Sequence, residues 1–446
     1  MSIEVITFLF IGLMLLGIMS GYYMGPALGA VGFIFGYIVL NPTITNEIMY
    51  GRVYELMLNY SLLAMPLFVF MGEILARTGI TDSLYGALHL LLGRFRGGLA
   101  IGTVLFGTIL AACLGVITAS VSMMTIIGLG AMVDRGYDKS LAAGSICAGG
   151  TLGILIPPSI MFVIYGPLAS VSVGKLFMGA IFPGLMLSMM YCTYIAVRSH
   201  LQPQLAPPVS EAEYHSISLK DKFLLLIKSM LPPIVLILAV LGAIFTGIAP
   251  PTEAAALGAF ASVVLAICYK KLTISSLKEA SRDTMRVISF GFFIGLVAYG
   301  SIGVFMRMGC SDVIANLILS APGGRWGAFF IIMGTAFILG MFMDWLPILF
   351  ILIPVITPLV PQLGFDTLWF GMMLCICLQI GLMTPPFAVA LFVCKGSADK
   401  RIGLTIGDII KGMIPYICLM ILALIILTIF PQIVTWLPER MITAWN

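Results

Sequence analysis

The chain holds 446 residues, 61% of them hydrophobic and 9% charged, with 23 Lys+Arg against 19 Asp+Glu and a formal net charge of +4. Ordinary globular chains carry roughly 25% charged residues, so this composition excludes a string of soluble domains and the enzymology they would host, and it describes a membrane protein. The slight basic excess fits cytoplasmic loops better than a nucleic-acid footprint, and no nucleic acid is implied.

A spanning helix needs about 20 predominantly apolar residues. The first apolar run, 3–23, has no Lys or Arg before it and no small-residue cleavage site, so it reads as a spanning helix and not as a signal peptide. Further runs lie near 24–40, 56–76, 99–130, 141–166 and 176–197. The polar stretch 198–222, with Pro203, Pro207 and Pro208, then divides the chain into halves, 1–197 and 223–446. Beyond it, apolar runs recur near 223–248, 253–269, 287–306, 326–343, 346–362, 368–394 and 413–437. Basic residues gather in the divider, at Lys270, Lys271, Lys278, Arg282 and Arg286, and at Lys395, Lys400, Arg401 and Lys411. These stretches are expected to be loops facing the cytoplasm, which puts both termini in the periplasm.

Seven of the nine cysteines, Cys113, Cys147, Cys192, Cys268, Cys375, Cys377 and Cys418, lie within apolar runs and read as small packing residues. The pair Cys375 and Cys377 has no nearby His or Asp to complete a metal site. His89, His200 and His215 lie in polar stretches and read as solvated loop residues.

One broken segment occurs in each half. The first reads Gly153-Ile154-Leu155-Ile156-Pro157-Pro158 and the second Gly381-Leu382-Met383-Thr384-Pro385-Pro386. A second pairing precedes each at a similar interval: Leu110-Ala111-Ala112-Cys113-Leu114-Gly115, and Ala336-Phe337-Ile338-Leu339-Gly340. Two ordered matches indicate an internal repeat. Proline removes an amide donor and clashes with the carbonyl four residues back, so a double proline at membrane depth unwinds the helix and frees carbonyls. Free carbonyls are tolerated there only where the break is buried in protein or lines a cavity, and there they can replace a cation's hydration shell. Paired broken helices in two repeats point to the midplane site of a secondary transporter. The alternative is a mere kink, and Leu231-Pro232-Pro233-Ile234, which lacks the preceding glycine, is read that way.

Charged residues within apolar runs each need a reason. Glu73 and Asp344 can balance a cation, pair with arginine or sit at an interface, and Arg307 can snorkel or contact an anion; these three are the candidates for substrate contact. Zinc-protease, nucleotide-binding and nucleophile-elbow motifs are missing, so no enzyme is expected and an ion gradient is the remaining energy source.

The segments Met65-Pro66-Leu67-Phe68 to Gly72-Glu73, Arg135-Gly136-Tyr137-Asp138, Gly153 to Ser159, Leu339 to Asp344 and Gly381 to Pro386 together resemble the large membrane subunit of the tripartite ATP-independent periplasmic (TRAP) transporters. The resemblance covers essentially the whole chain. It implies an all-α polytopic, inverted-repeat elevator in the bacterial inner membrane, with two re-entrant hairpins, two broken helices, and transport elements near 90–166 and 320–396. It further implies a small four-helix membrane partner, a periplasmic substrate-binding protein, an organic acid as substrate and sodium as the coupling ion. One sodium site maps onto a hairpin tip and the first break, with carbonyls of Leu114, Val116, Gly153, Ile156 and Pro158. The other maps onto Gly340, Gly381, Thr384 and Phe387, where the Thr384 hydroxyl is the one obvious side-chain ligand. Many members carry a serine-rich tip where this chain reads Leu114-Gly115-Val116-Ile117-Thr118-Ala119-Ser120, so aligned hydroxyls are missing at the first site. Two alternatives remain: a stand-alone sodium/carboxylate symporter of the ion-transporter superfamily, whose Ser-Asn-Thr tip motif is not found here, and an intramembrane hydrolase using Asp344 and Glu73 as a carboxylate pair.

Overall fold

Glycine and proline decide where the helices of this chain stop. The computed structural model describes residues 2–78, 85–88, 91–208 and 219–441, and the regular elements among them are all helical. His89 and His215 lie outside the described residues, and His200 is an exposed residue in the last turn of a helix rather than in a loop.

Helix α1 spans Ile3–Met19, and α2, Met24–Phe35, loosens into a π turn over Gly36–Leu40. Asn41 then caps α3, Pro42–Met57, by accepting from the Ile44 amide at 2.8 Å, with Pro42 at the first helical position, where a missing N–H is harmless. No apolar run marks α3, which carries the exposed Asn46 and Glu55 and packs Arg52 against Tyr299 of the later helix Ile274–Arg307. Helix α4 is Ala64–Arg77. Its Arg77 joins Glu73 on the same helix to Asp283, which lies far along the chain.

The long run 99–130 is a hairpin. Helix α5, Gly98–Leu114, ends at Gly115, whose φ of +62° suits glycine and reverses the chain, and α6 returns from Ile117 to Met124 and on through a π turn, Thr125–Leu129. Helix α7, Lys139–Thr151, is capped by Asp138, tightens into a 3-10 turn over Leu152–Ile154, breaks, and resumes as α8, Ile160–Ala169. The long helix α9, Val173–Leu201, closes the half. After α10, Leu219–Phe245, α11, Pro251–Cys268, α12, Ile274–Arg307, and α13, Cys310–Leu319, the same order returns. A hairpin of α14, Gly324–Phe342, and α15, Trp345–Ile356, precedes a broken helix, α16, Thr367–Met383, and α17, Val389–Ser397. A long helix, α18, Ile406–Ile429, and the short α19, Gln432–Glu439, follow.

Three polar stretches are more helical than their composition implies: Lys395 and Lys411, expected in a loop, lie in α17 and α18, with Lys400 and Arg401 in the turn between them, and two earlier stretches behave alike. Helix α9 runs on to Leu201, and α12 carries Lys278, Arg282 and Arg286, expected in a loop, on one continuous helix of 34 residues. The spacing of four places those cations on one stripe while Ala280 and Thr284 are buried, so a hydropathy average hides an amphipathic helix. At 1.5 Å per residue, α12 is about 50 Å long.

The broken helices form the centre: every residue of α7 from Ser140 and of α16 from Leu368 is buried. Close backbone crossings hold them. A Cβ on Gly412 of α18 would stand 2.0 Å from the Ser140 carbonyl oxygen, and one on Gly144 would stand 2.3 Å from the Gly412 oxygen. Around this core, α4 packs on α11 and α12, and α12 on α2 and α3. Outward faces carry Phe8, Phe260, Phe330 and Ile425, as lipid contact requires. Among the described residues, seven helices are long and apolar enough to cross a membrane, while α5, α7 and α16 stop short because a tip or a break interrupts them.

Candidate functional site

The prolines identify which carbonyls are left over. In a regular helix the amide of residue i bonds the carbonyl of i−4, so Pro157 orphans Gly153 and Pro158 orphans Ile154. The Ile154 oxygen is recaptured twice, by the Ser159 hydroxyl at 2.6 Å and the Cys375 thiol at 3.4 Å. Among the described residues, no donor reaches the carbonyls of Gly153, Ile156 or Pro158. The spacing glycine-x-x-x-proline therefore marks a carbonyl that has lost its partner on a residue without a side chain to shield it.

The first hairpin tip faces this break. A Cβ on Gly153 would meet Ser120 Oγ at 3.6 Å, Ala111 Cα at 3.8 Å and the Val116 nitrogen at 3.8 Å, and one on Gly115 would lie 3.4 Å from the Pro158 oxygen. The tip residues Gly115 and Val116 thus lie against Pro158 and Gly153 of the break. Sequence alignment of the tip missed Ser120. It lies one turn into α6, fully buried, with its amide on the Val116 oxygen at 3.1 Å and, among the described residues, no hydrogen-bond partner for its hydroxyl. The tip thus places one buried hydroxyl oxygen beside the orphaned carbonyls of the break. The signal was its position four residues after Val116, on the same helical face.

The second break repeats the pattern with different details. Pro385 orphans Gly381, whose oxygen takes the Thr384 amide at 3.0 Å instead, and Pro386 orphans Leu382. Gly381 and Gly340 are pressed together: a Cβ on Gly381 would stand 2.9 Å from Gly340 Cα. The Phe387 amide donates to the Met341 oxygen at 2.9 Å, tying the loop to the second hairpin tip, while the Phe387 ring is exposed, so this residue contributes through its backbone. The Thr384 hydroxyl donates to the Ile380 oxygen at 2.8 Å, which leaves its lone pairs for a cation. Gly340 and Gly381 therefore touch, and Thr384 and Phe387 belong to the loop that follows. Both double prolines share a further feature, a cis bond between the two rings.

The double proline of α10 behaves differently. The helix continues through Pro232 and Pro233, and the carbonyl that Pro232 orphans, on Lys228, is taken by the Tyr269 hydroxyl at 3.0 Å. It is a repaired kink, as its missing glycine implies.

The charged candidates do not assemble. Glu73 is held by Arg77, which also reaches Asp283. Asp344 sits at the second tip and caps α15, its Oδ1 accepting from the Trp345 amide at 2.9 Å. Arg307 is exposed at the end of α12 and, with Arg52 and Glu55, lines a separate cavity of about 400 Å³. Among the described residues, no group of three His, Cys, Asp or Glu side chains is placed to hold a metal. The thiols of Cys147, Cys375 and Cys377 are buried and donate to main-chain carbonyls, in keeping with packing roles.

The family model of the tripartite ATP-independent periplasmic transporter DctM component matches residues 10–433. The chain is 32% identical to the C4-dicarboxylate TRAP transporter large permease protein DctM of Pseudomonas aeruginosa, over 87% of this chain and 88% of that protein. It is 30% identical to the protein of the same name from Vibrio cholerae, over 98% of each. Among solved structures, the YdaH transporter of Alcanivorax borkumensis shares the fold with a TM-score of 0.64, at 14% identity, over 88% of this chain and 89% of that one.

Proposed function

The chain belongs to the DctM component family of tripartite ATP-independent periplasmic transporters, and we propose that it is a sodium-coupled importer subunit that receives an organic acid from a periplasmic binding protein. Members are transport permeases, so the chain is a multi-pass membrane transport subunit and not an enzyme, and the hydrolase alternative falls. The geometry agrees: Glu73 is paired with Arg77 while Asp344 caps a helix, so they form no carboxylate dyad.

The observation that supports the sodium reading is the pair of breaks, in each of which proline deprives a glycine carbonyl of its helical partner beside a hairpin tip: among the described residues Gly153 is left without a donor, and Gly381 takes the Thr384 amide instead. Every ligand it offers is a carbonyl or hydroxyl oxygen: Leu114, Val116, Ser120, Gly153, Ile156 and Pro158 at one break, and Gly340, Gly381, Thr384 and Phe387 at the other. None of these titrates near neutral pH, so the sites suit a hard metal cation rather than a proton. The substrate class rests on relatives named for C4-dicarboxylates. In this reading the two hairpins and broken helices move as an elevator against a scaffold that includes α4, α11 and α12, completed by a small four-helix subunit in the bacterial inner membrane, with both chain termini in the periplasm.

The test is labelled-substrate uptake by proteoliposomes holding the chain with its small subunit, with binding protein outside. Uptake should need an inward sodium gradient and no ATP. Uptake that persists unchanged when potassium replaces sodium would refute the coupling.

A further inference from the structure

We propose that the hydrogen bond between the Gln379 and Thr151 side chains couples the two breaks, so that cations occupy them cooperatively. The inference rests on the sodium reading above and concerns two residues outside both ligand sets.

The two residues are repeat equivalents. Superposing Gly153 on Gly381 and Pro157-Pro158 on Pro385-Pro386 shifts the numbering by 228, and the same shift carries Thr151 onto Gln379 and Cys147 onto Cys375. Equivalent residues of two repeats touch each other only where the axis relating the repeats passes between them. Gln379 Nε2 donates to Thr151 Oγ1 at 3.2 Å, so this pair marks that axis. Both side chains are fully buried. Among the described residues, theirs is the only hydrogen bond between side-chain nitrogen or oxygen atoms that joins α7 to α16.

Each partner is built into a break. Thr151 is the last residue of α7, two before Gly153, and its hydroxyl donates to the Ala148 oxygen at 2.9 Å and approaches Met383 Sδ at 3.4 Å. Gln379 stands two residues before Gly381 and next to Ile380, whose carbonyl holds the Thr384 hydroxyl. A cation drawing the Gly153 carbonyl toward it acts on the tightened turn that Thr151 begins, and Thr151 passes the displacement through Gln379 to the turn bearing Gly381 and Thr384. Linkage requires the reverse effect to be equal. Among the described residues, the buried Oε1 of the Gln379 amide has no partner. Packing alone would favour an apolar side chain there, because an unsatisfied amide oxygen in a dry interior is destabilising.

The test uses the full transporter in proteoliposomes with its binding protein and reads the sodium dependence of uptake in the parent, Gln379→Met, Thr151→Val, the double variant and Thr151→Ser. Monodisperse elution checks folding. In the parent the Hill coefficient for sodium should lie well above one, falling to about one in Gln379→Met and in Thr151→Val. The double variant should be no worse than either single one. Thr151→Ser keeps the acceptor and should restore the parental value, which a purely structural role would not produce. Parental cooperativity in Gln379→Met and Thr151→Val, or loss of maximal uptake with the Hill coefficient unmoved, would overturn the inference and leave the sodium reading standing. Parental uptake indifferent to sodium would overturn both.

Discussion

Thr384 and Ile156 occupy equivalent places in the two breaks, so an apolar residue satisfies this backbone once and the Thr384 hydroxyl answers to something else. Thr384→Val keeps the shape and loses the oxygen. Removing one hydrogen-bonding partner from a buried polar site costs about 1–3 kcal/mol, roughly 5- to 150-fold in affinity. The sodium concentration that half-saturates uptake should rise by that order in Thr384→Val and little in Thr384→Ser. Ser120→Ala should raise it similarly, through the first break. Wild-type sodium dependence in both Thr384→Val and Ser120→Ala would return these residues to ordinary packing. The glycines separate by space. A Cβ on Gly153 meets nothing nearer than 3.6 Å, whereas one on Gly381 meets the Gly340 backbone at 2.9 Å. Gly381→Ala should therefore lose about 1–3 kcal/mol to overpacking, seen as a lower melting temperature in detergent, while Gly153→Ala stays near the parent. Equal melting temperatures would show that the α14–α16 crossing is looser than its geometry implies.

At the scale of elements, the sequence exposes what apolar length and punctuation encode. Runs too long for one crossing resolve into the α5–α6 hairpin and the two broken helices, and glycine before a double proline separates the open breaks from the repaired kink in α10. Elements that alternate polar and apolar faces stay hidden: α3, the first part of α12 and α13 average too polar, or are too short, for a hydropathy window. Contacts made across hundreds of residues are hidden for another reason. Nothing near Ser120 in the chain announces Gly153, and only the fold shows that Gln379 meets Thr151. The crossing of α7 and α18 is of this long-range kind. Gly412→Ala places a methyl 2.0 Å from the Ser140 oxygen, which no rotamer relieves. The variant should show reduced yield and a melting temperature lowered by more than that of Gly381→Ala; parental stability would mean the two helices part without cost.

For the molecule as a whole, broken helices at the centre and lipid-facing helices around them fit a moving body carried by a frame. If the chain works as the elevator proposed above, it needs that frame completed by the small subunit and its substrate delivered by the binding protein. The purified chain without its small subunit and binding protein should give no uptake above empty vesicles, and robust uptake by the single chain would favour a stand-alone symporter. Sodium coupling is tested by counting both solutes at once. Vesicles holding the complete transporter receive radiolabelled sodium and labelled substrate under an inward sodium gradient. Sodium entry should begin only when substrate and binding protein are both present, keep a fixed ratio to substrate, and weaken in Thr384→Val. Substrate accumulation with sodium entry no greater than in vesicles given no substrate would contradict the coupling.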